Sequence, residues 1–429
     1  MKDEKNIVAA VDIGTSKILA VVAEISRDGS FRVLAQGRAE SRGVEDGRII
    51  DVDEAVKQLN EAISDLQRFY KQPRLPNVYA TVGGKHVSGR DSTAQKPIKG
   101  DSVTIKDIQV AKDTAIESLG INEGEHYIAS EINYYSYNNE EEQFNSPLEQ
   151  SKASRVTVHV HAAVGNALCA DFLVKTIRRS GLDIVQGLPQ GWASAYAILT
   201  EEERRNGAVV VDVGASTTDI VVFKGGTPRY TKTLPIGGDH ITEQLAGYMH
   251  CSMEEAEKLK RRLDLRMLPE LDDVLIPVPR NDGTTQKYSL YELSEVALGH
   301  ARGMVAEVCK ALLQAKWFTI ENGYPRNLLS GGIVVTGGGS LLQGFDRIFE
   351  QVPEPYRYTF STRQGRSRYD GDACVGLTSP SGSAVMGLVT YAALRFKEGE
   401  TTSNDAKVPV DTWQARLKQL FKEFFVGEY

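Results

Sequence analysis

The sequence has few cysteines and no arrangement of them that suggests a framework. Cys169, Cys251, Cys309 and Cys374 are scattered through 429 residues, with no CxxC pair and no histidine at metal-ligand spacing. This excludes a disulfide scaffold and a cysteine-based zinc site. A reduced, cytoplasmic setting is the simplest expectation.

The sequence also lacks an excess of positive charge and any long apolar run. With 50 Lys and Arg against 57 Asp and Glu, the formal net charge is −7, which disfavours a general nucleic-acid binder. No run approaches the roughly 18 apolar residues that would span a bilayer. No charged-then-apolar leader is recognisable, so we expect no export. The length predicts two or three globular domains.

One strand pattern occurs twice in the chain. Residues Asn6–Gly14 form an apolar run that ends in Asp-x-Gly, followed by a polar turn and a second apolar run. The same order returns at Ala208–Gly214, and the two acids, Asp12 and Asp212, are 200 positions apart. This internal duplication predicts two related domains that each begin strand–turn–strand.

The residues of these turns suit a phosphate group. Backbone N–H groups at the end of a strand are free to bind an anion, and small or hydroxyl residues let phosphate oxygens approach. The candidates are Gly14, Thr15, Ser16 and Lys17 in the first turn, and Gly214, Ala215, Ser216 and Thr217 in the second. Lys17 adds a positive charge, and Asp12 and Asp212 would hold water-coordinated Mg²⁺ between the turns. A single Asp-x-Gly is common in hairpins, but two copies in matching contexts favour a nucleotide phosphate clamped between two domains.

A third glycine-rich turn follows a predicted strand at Ser330–Thr336. Gly337, Gly338 and Gly339 would allow a flat ring or a ribose to approach the backbone closely. A plain strand-to-helix turn is the alternative interpretation.

The remaining pattern predicts several further elements. Helices are expected at 53–70, 107–118, 242–263 and 290–318. The polar segment Tyr134–Gln150 is expected to be an exposed loop within a small inserted domain. Residues 397–410 lack periodicity and apolar content, which indicates a flexible linker.

The three turns resemble the nucleotide-binding motifs of the actin/Hsp70/sugar-kinase superfamily, whose duplicated domains close on ATP. Segments outside the turns are similar to the FtsA family of bacterial cell-division proteins: Ser41–Val44, Gly84–Ser88 and Leu199–Arg204. This resemblance covers essentially the whole chain. It implies an α/β fold of duplicated actin-like (ribonuclease-H-like) domains, with inserted small subdomains and a C-terminal amphipathic helix.

The resemblance also implies domain boundaries. The first actin-like domain comprises 1–86, 163–200 and 376–396, with the inserted FtsA-type subdomain at 87–162. The second comprises 201–242 and 299–375, with its small subdomain at 243–298. A linker at 397–410 and a membrane-targeting helix at 411–429 complete the chain.

Two further site assignments follow from the resemblance. Glu257 and Lys260 are similar to the family's acid-and-lysine pair on the adenosine ribose, although an exposed i,i+3 salt bridge would give the same spacing. Gln190 lies six residues before Tyr196, the offset of actin's water-positioning glutamine. It is a candidate to orient water for attack on the γ-phosphate, or simply a polar residue at a helix start.

The second phosphate turn departs from the family pattern. FtsA relatives commonly have Gly-Gly-Gly-Thr where this chain has Gly214–Thr217, and the two added Cβ atoms are expected to affect hydrolysis more than binding.

The last predicted helix is amphipathic. Its apolar residues share one face: Trp413, Leu417, Leu420, Phe421, Phe424 and Phe425. Its basic residues lie on the flanks and the opposite face: Arg416, Lys418 and Lys422. This pattern is typical of a helix in a lipid headgroup layer. Docking on the protein's own body is the alternative, but the polar linker before the helix favours the membrane.

The resemblance implies ATP and Mg²⁺ as cofactors, with slow hydrolysis at most. The implied partners are the C-terminal peptide of the tubulin-like protein FtsZ, other division proteins, further copies of this chain in actin-like filaments, and anionic membrane lipid, with no nucleic acid. Lys258, Lys260, Arg261 and Arg262 offer a basic cluster for the FtsZ peptide. The implied location is the cytoplasmic face of the membrane at the division septum. A pilus-assembly adaptor of the same subfamily and a small-molecule kinase of the superfamily remain alternatives.

Overall fold

The computed structural model describes residues 5–72, 74–100, 102–138, 142–147, 152–267, 274–321, 324–327, 329–351, 360–369 and 376–398. The predicted terminal helix, and the predicted linker apart from Lys397 and Glu398, lie outside the described residues. Within the described ranges, no helix is long and apolar enough to cross a membrane.

The strands of the described residues are numbered in chain order. The first ten are β1 Lys5–Ile13, β2 Lys17–Ser26, β3 Phe31–Glu40, β4 Val44–Glu45, β5 Arg48–Ile49, β6 Val78–Val82, β7 Ser88–Pro97, β8 Glu125–Tyr137, β9 Arg155–Asn166 and β10 Ile184–Pro189. The others are β11 Ala208–Val213, β12 Thr218–Lys224, β13 Thr227–Leu234, β14 Leu275–Pro279, β15 Thr285–Ser289, β16 Phe318–Glu321, β17 Tyr324–Asn327, β18 Ile333–Thr336 and β19 Thr362–Gln364.

The helices are numbered in the same way. They are α1 Val52–Gln67, α2 Ile105–Glu117, α3 Ala167–Arg179, α4 Gln190–Ile198, α5 Glu201–Asn206, α6 Gly238–Met249, α7 Met253–Lys260, α8 Leu290–Gln314 and α9 Ser383–Lys397. Short 3₁₀ turns lie at Gly338–Leu341, Asp346–Gln351 and Pro380–Gly382.

The two large sheets share one strand order. The first sheet runs β3-β2-β1-β6-β10, and the second contains the equivalent order β13-β12-β11-β18-β19. In each, the first strand of the duplicated pattern pairs antiparallel with the next strand and parallel with a later one: β1 with β2 and β6, and β11 with β12 and β18. The duplication predicted from the two Asp-x-Gly turns is therefore confirmed strand by strand.

Helices α4 and α9 lie in the core that joins the two halves. Residues 191–198 of α4 are all buried, and the same core contains Val221 and Phe223 of the second sheet. Gly387 of α9 touches Ala193 of α4 so closely that a Cβ at Gly387 would lie 1.6 Å from the Ala193 carbonyl oxygen. Only glycine allows this approach, so the relative position of the two helices is tightly defined.

The inserted region extends the second sheet. Strands β7, β9 and β8 continue from β13, and the junction consists of one residue pair, Lys232 with Ser88. Helix α2 packs on these strands over a separate core. The loop predicted at Tyr134–Gln150 is wrong over its first four residues, which end β8. Tyr135 and Tyr137 are buried in that core, because alternate tyrosines pack on it although the segment is polar in composition.

Two helix predictions also need correction. The helix predicted at 242–263 is divided into α6 and α7 at His250, which has a left-handed φ of 55°. Ser252 then caps α7, because its Oγ accepts a hydrogen bond from Glu255 N at 3.2 Å. The helix predicted to extend to Phe318 ends at Gln314, and Phe318 begins β16 as a buried residue.

Candidate functional site

The two duplicated turns have the same internal hydrogen bond. Gly14 N donates to Lys17 O at 3.0 Å, and Gly214 N donates to Thr217 O at 2.8 Å. Each bond closes the connection between antiparallel strands, and one residue pair separates the turn from the pair that contains Asp12 or Asp212. The turns are thus equivalent in geometry as well as in sequence.

Both turns line one cleft of about 480 Å³, which is within the size range of small-molecule sites. The predicted residues on its wall are Asp12, Gly14, Thr15, Ser16, Lys17, Gln190, Asp212, Gly214, Ala215, Thr217, Glu257, Lys260, Gly337, Gly338 and Gly339. Ser216 is not among the lining residues, but its Oγ lies 2.8 Å from Thr15 Oγ1. The structure therefore brings the three predicted turns together in space.

The third glycine turn packs directly against the second phosphate turn. Gly337 has a φ of 87°, and a Cβ there would lie 2.2 Å from Asp212 Oδ1. A Cβ at Gly339 would lie 2.6 Å from Val213 Cγ1. Glycine is therefore required at both positions. Because glycine has no side chain, the backbone there is exposed to the cleft.

Two buried carboxyls face the cleft from the ends of β1 and β11. Thr81 Oγ1 donates to Asp12 Oδ1 at 2.7 Å, and Ser194 Oγ donates to Asp212 Oδ2 at 2.5 Å. Burial raises the pKa of Asp12. Burial also raises the pKa of Asp212, to about 6; the hydrogen bond from Ser194 opposes this shift and the charge of Asp12 adds to it. A divalent cation would relieve this unfavourable environment, and a pair of carboxylates suits Mg²⁺ that keeps several waters. The donor set therefore fits the predicted metal.

Lys17 is half-buried between the two halves. Burial lowers the pKa of its ammonium group to about 8, an effect opposed by Asp12 and increased by Arg38. Its Nζ donates to the carbonyl oxygen of Ser381 at 2.5 Å, immediately before α9. The first phosphate turn is thus linked to a segment 364 positions away in the chain.

Gln190 is the first residue of α4, and its side chain lies at the cleft. Burial raises the pKa of Asp212, and the nearby Gln190 amide partly opposes this shift. A Cβ at Gly83 would lie 2.8 Å from Gln190 Oε1, so the amide rests against the backbone there. The structure places Gln190 beside a candidate metal ligand.

The Glu257–Lys260 pair is not an exposed salt bridge. Lys260 is 8% exposed, and its Nζ lies 2.6 Å from Glu257 Oε2. The same ammonium donates to Gly238 O at 2.9 Å and Thr242 Oγ1 at 2.7 Å. These bonds hold α7 against the start of α6 at the cleft wall.

Two residues of the predicted basic cluster are paired with acids one helical turn away. Lys258 pairs with Glu254 at 2.7 Å, and Arg261 pairs with Glu257 at 3.0 Å. Lys260 is buried at the cleft, whereas Arg261 and Arg262 are exposed. These pairs reduce the net positive charge of the cluster, and its role as a peptide-binding surface stays a prediction.

Several cleft residues were missed by sequence reasoning. They are Arg38, Gly47, Gly238, Asp239, Arg261, Leu341, Leu342, Pro380, Ser381 and Ala384. Gly47 could have been suspected, because Asp46-Gly47 is a hairpin-turn signal and this hairpin joins β4 to β5. Arg38 and Ser381 carry no local signal, since only the folded chain brings them to the phosphate turns.

Comparison with solved structures defines the class of protein. A PilM-PilN type IV pilus biogenesis complex matches with a TM-score of 0.57 and 16% identity, covering 91% of this chain and 98% of that chain. MreB5 of Spiroplasma citri bound to ADP matches with a TM-score of 0.51 and 15% identity, covering 92% and 98%. The fold is therefore actin-like, in agreement with the predicted fold class.

Sequence comparison then shows which proteins this chain resembles. The family model described as cell division protein FtsA matches residues 209–387. Proteins named cell division protein FtsA are 28% identical in Escherichia coli K12, over 98% of this chain and 99% of theirs, and 29% identical in Pseudomonas aeruginosa, over 98% of each. The relative in Neisseria meningitidis is 27% identical over 92% of each chain. The chain is therefore similar to proteins named cell division protein FtsA over nearly its whole length, and the predicted resemblance is confirmed.

Proposed function

We propose that this protein binds ATP with Mg²⁺, polymerises as actin-like filaments, and tethers the FtsZ division ring to the cytoplasmic membrane through residues 411–429. The main support is the meeting of two matched phosphate turns and a third glycine turn in one cleft. Homology to FtsA proteins supports the role in division.

The cleft offers complementary groups to each part of a nucleotide. The turn amides and Lys17 would hold the phosphates, and the glycine turn at Gly337 and the buried Lys260 would lie on the nucleoside side. Mg²⁺ held between Asp12 and Asp212 would neutralise phosphate charge. The structure of MreB5 of Spiroplasma citri, which has a related fold, contains bound ADP, and this supports a nucleotide in this class of cleft.

Slow hydrolysis at most is part of the proposal. Gln190 is positioned at the cleft beside Asp212, where an amide could orient water. Nucleotide binding would then act mainly as a condition for polymerisation.

Polymerisation and membrane attachment would reinforce each other. Full burial of a large apolar side chain contributes roughly 1.5–3 kcal/mol, but burial in a lipid interface is partial and ordering a helix has an entropic cost. One tail would therefore bind reversibly. A filament with many tails would bind far more firmly through effective concentration.

The decisive experiment is co-sedimentation with FtsZ filaments and anionic liposomes, with and without Mg-ATP. We expect the full-length chain to bring FtsZ to the liposomes in the presence of ATP, and a chain lacking residues 411–429 to leave FtsZ in solution. The tethering function would be contradicted if FtsZ sedimented with the liposomes in the absence of this protein, or if FtsZ failed to sediment with them in its presence.

The pilus-assembly adaptor is the second candidate, because the pilus complex has the same fold. Such an adaptor would not need an amphipathic tail or bind FtsZ, so the same sedimentation experiment separates the two. A small-molecule kinase would show ADP release stimulated by its substrate, which a panel of sugars would test.

A further inference from the structure

A direct hydrogen bond connects the tips of the two phosphate turns. Thr15 Oγ1 and Ser216 Oγ are 2.8 Å apart, although the residues are 201 positions apart in the chain. Gly47 N, at the tip of the β4–β5 hairpin, donates to the same Thr15 oxygen at 3.1 Å. Three separate elements therefore meet at Thr15.

The separation of these hydroxyls depends on how the two halves are placed. Each turn is fixed to its own sheet by the backbone bonds from Gly14 N and Gly214 N. Ser216 has little freedom to follow Thr15, because Gly238 N and Asp239 N also bond the second turn, at Gly214 O and Ala215 O. The Thr15–Ser216 bond is thus formed only when the turns are close together.

We propose that Thr15 and Ser216 form an interdomain clasp that keeps the cleft closed and slows nucleotide release. Both side chains are half-buried, so the bond is partly shielded from competing water. The inference rests on the proposed nucleotide binding. It assigns to these hydroxyls a positioning role that is separate from any contact with phosphate.

The clasp predicts faster release of both nucleotides when the bond is lost. Loss of one hydrogen bond of this kind should raise the release rates of fluorescent ATP and ADP analogues from Ser216→Ala about two- to ten-fold. The factor should be the same for both nucleotides, because the bond joins protein to protein. Ser216→Thr, which keeps the hydroxyl, should release them at nearly the wild-type rate.

A matched control is available away from the cleft. Tyr127 Oη and Ser130 Oγ form a hydroxyl pair of similar length, 2.9 Å, within β8. Ser130→Ala therefore removes the same kind of bond without touching the turns, and its release rates should equal those of the wild type. Circular dichroism of each variant would confirm that the fold is retained.

A double-mutant cycle tests whether the two hydroxyls act together. Thr15→Val should accelerate release, and the Thr15→Val/Ser216→Ala chain should release nucleotide no faster than the faster single variant. If the accelerations of the two single variants multiplied in the double variant, the clasp would be contradicted. Unchanged release from Ser216→Ala, or acceleration confined to the ATP analogue, would also contradict it. A wild-type chain that binds neither analogue would instead contradict the proposed function and leave the clasp without a ligand to retain.

Discussion

Asp212 on β11 lies directly opposite Asp219 on β12 in the antiparallel pair that ends at the second phosphate turn. Burial, and secondly the charge of Asp212, raise the pKa of Asp219 to about 7. Thr233 Oγ1 donates to Asp219 Oδ1 at 2.5 Å, whereas Asp219 Oδ2 is buried without a hydrogen-bond partner among the described residues. Asp219 is therefore a carboxyl whose protonated form the fold favours.

This pKa predicts a stability that falls as the pH rises. An aspartate titrates near 3.8 without these effects, so between about pH 4 and pH 7 the folded chain holds a proton at Asp219 that the unfolded chain has lost. The contribution of Asp219 to the free energy of unfolding decreases through this range and is constant above it. Asp219→Asn should remove the decrease and be more stable than the wild type at pH 8, by on the order of 1–3 kcal/mol.

Urea denaturation at pH 5 and pH 8, in EDTA and without nucleotide, would measure this difference. Asp282→Asn is a suitable control, because a hydrogen bond from Thr284 lowers the pKa of that exposed carboxyl. The control should gain nothing at pH 8. Equal pH dependence in wild type and Asp219→Asn would show that Asp219 titrates normally.

Arg38 is expected to strengthen nucleotide binding by its charge. It lines the cleft and lowers the pKa of Lys17, yet its guanidinium forms no hydrogen bond or ion pair within the described residues. Arg38→Gln should weaken ATP binding several-fold in calorimetry, with a smaller difference at high salt. Arg32→Gln on the same strand removes an exposed charge paired with Glu24 and should bind ATP as the wild type does.

Gly337 should tolerate no side chain. Gly337→Ala adds a Cβ at 2.2 Å from Asp212 Oδ1 and also imposes a positive φ on alanine. Gly226 has a similar φ of 92° with open space around it, so Gly226→Ala isolates the conformational cost, about 1 kcal/mol. We expect Gly337→Ala to lose more than this control in urea denaturation and to lose ATP binding as well. Equal losses would show that the second phosphate turn can move aside.

Deletion of residues 411–429 should abolish sedimentation with anionic liposomes. The six predicted apolar residues of this segment would be lost, while the cleft would keep its ATP affinity. A milder variant, Phe421→Ser with Phe424→Ser, keeps every basic residue and should also fail to sediment if apolar insertion is needed. Undiminished sedimentation of the deleted chain would contradict the anchor.

Gln190→Ala should reduce ATP turnover without changing ATP affinity greatly. The amide lies beside Asp212 at the cleft, where it could orient water rather than hold the nucleotide. Phosphate release and calorimetry on the same samples would separate the two effects. Unchanged turnover would leave Gln190 as the polar first residue of α4.

Sequence patterns predicted those features of the fold that depend on residues adjacent in the chain. The Asp-x-Gly turns were found because strand, acid and glycine follow one another, and their equivalence gave the duplicated fold. The features that were not predicted depend on contacts between residues that are far apart in the chain. Tyr135 is buried in the core of the inserted region, His250 adopts a left-handed conformation between two helices, and the carbonyl oxygen of Ser381 accepts a hydrogen bond from Lys17.

Helix α9 begins at the cleft and ends where the predicted linker starts. Near its first turn, Ser383 Oγ lies 2.8 Å from Thr336 Oγ1, and Pro380 O accepts a hydrogen bond from Gly337 N at 3.2 Å. Its 15 residues span about 22 Å, and the Gly387–Ala193 contact prevents sliding along α4. A shift of the glycine turn would therefore tilt α9 about this contact, and Lys397 at the other end of the helix would be displaced.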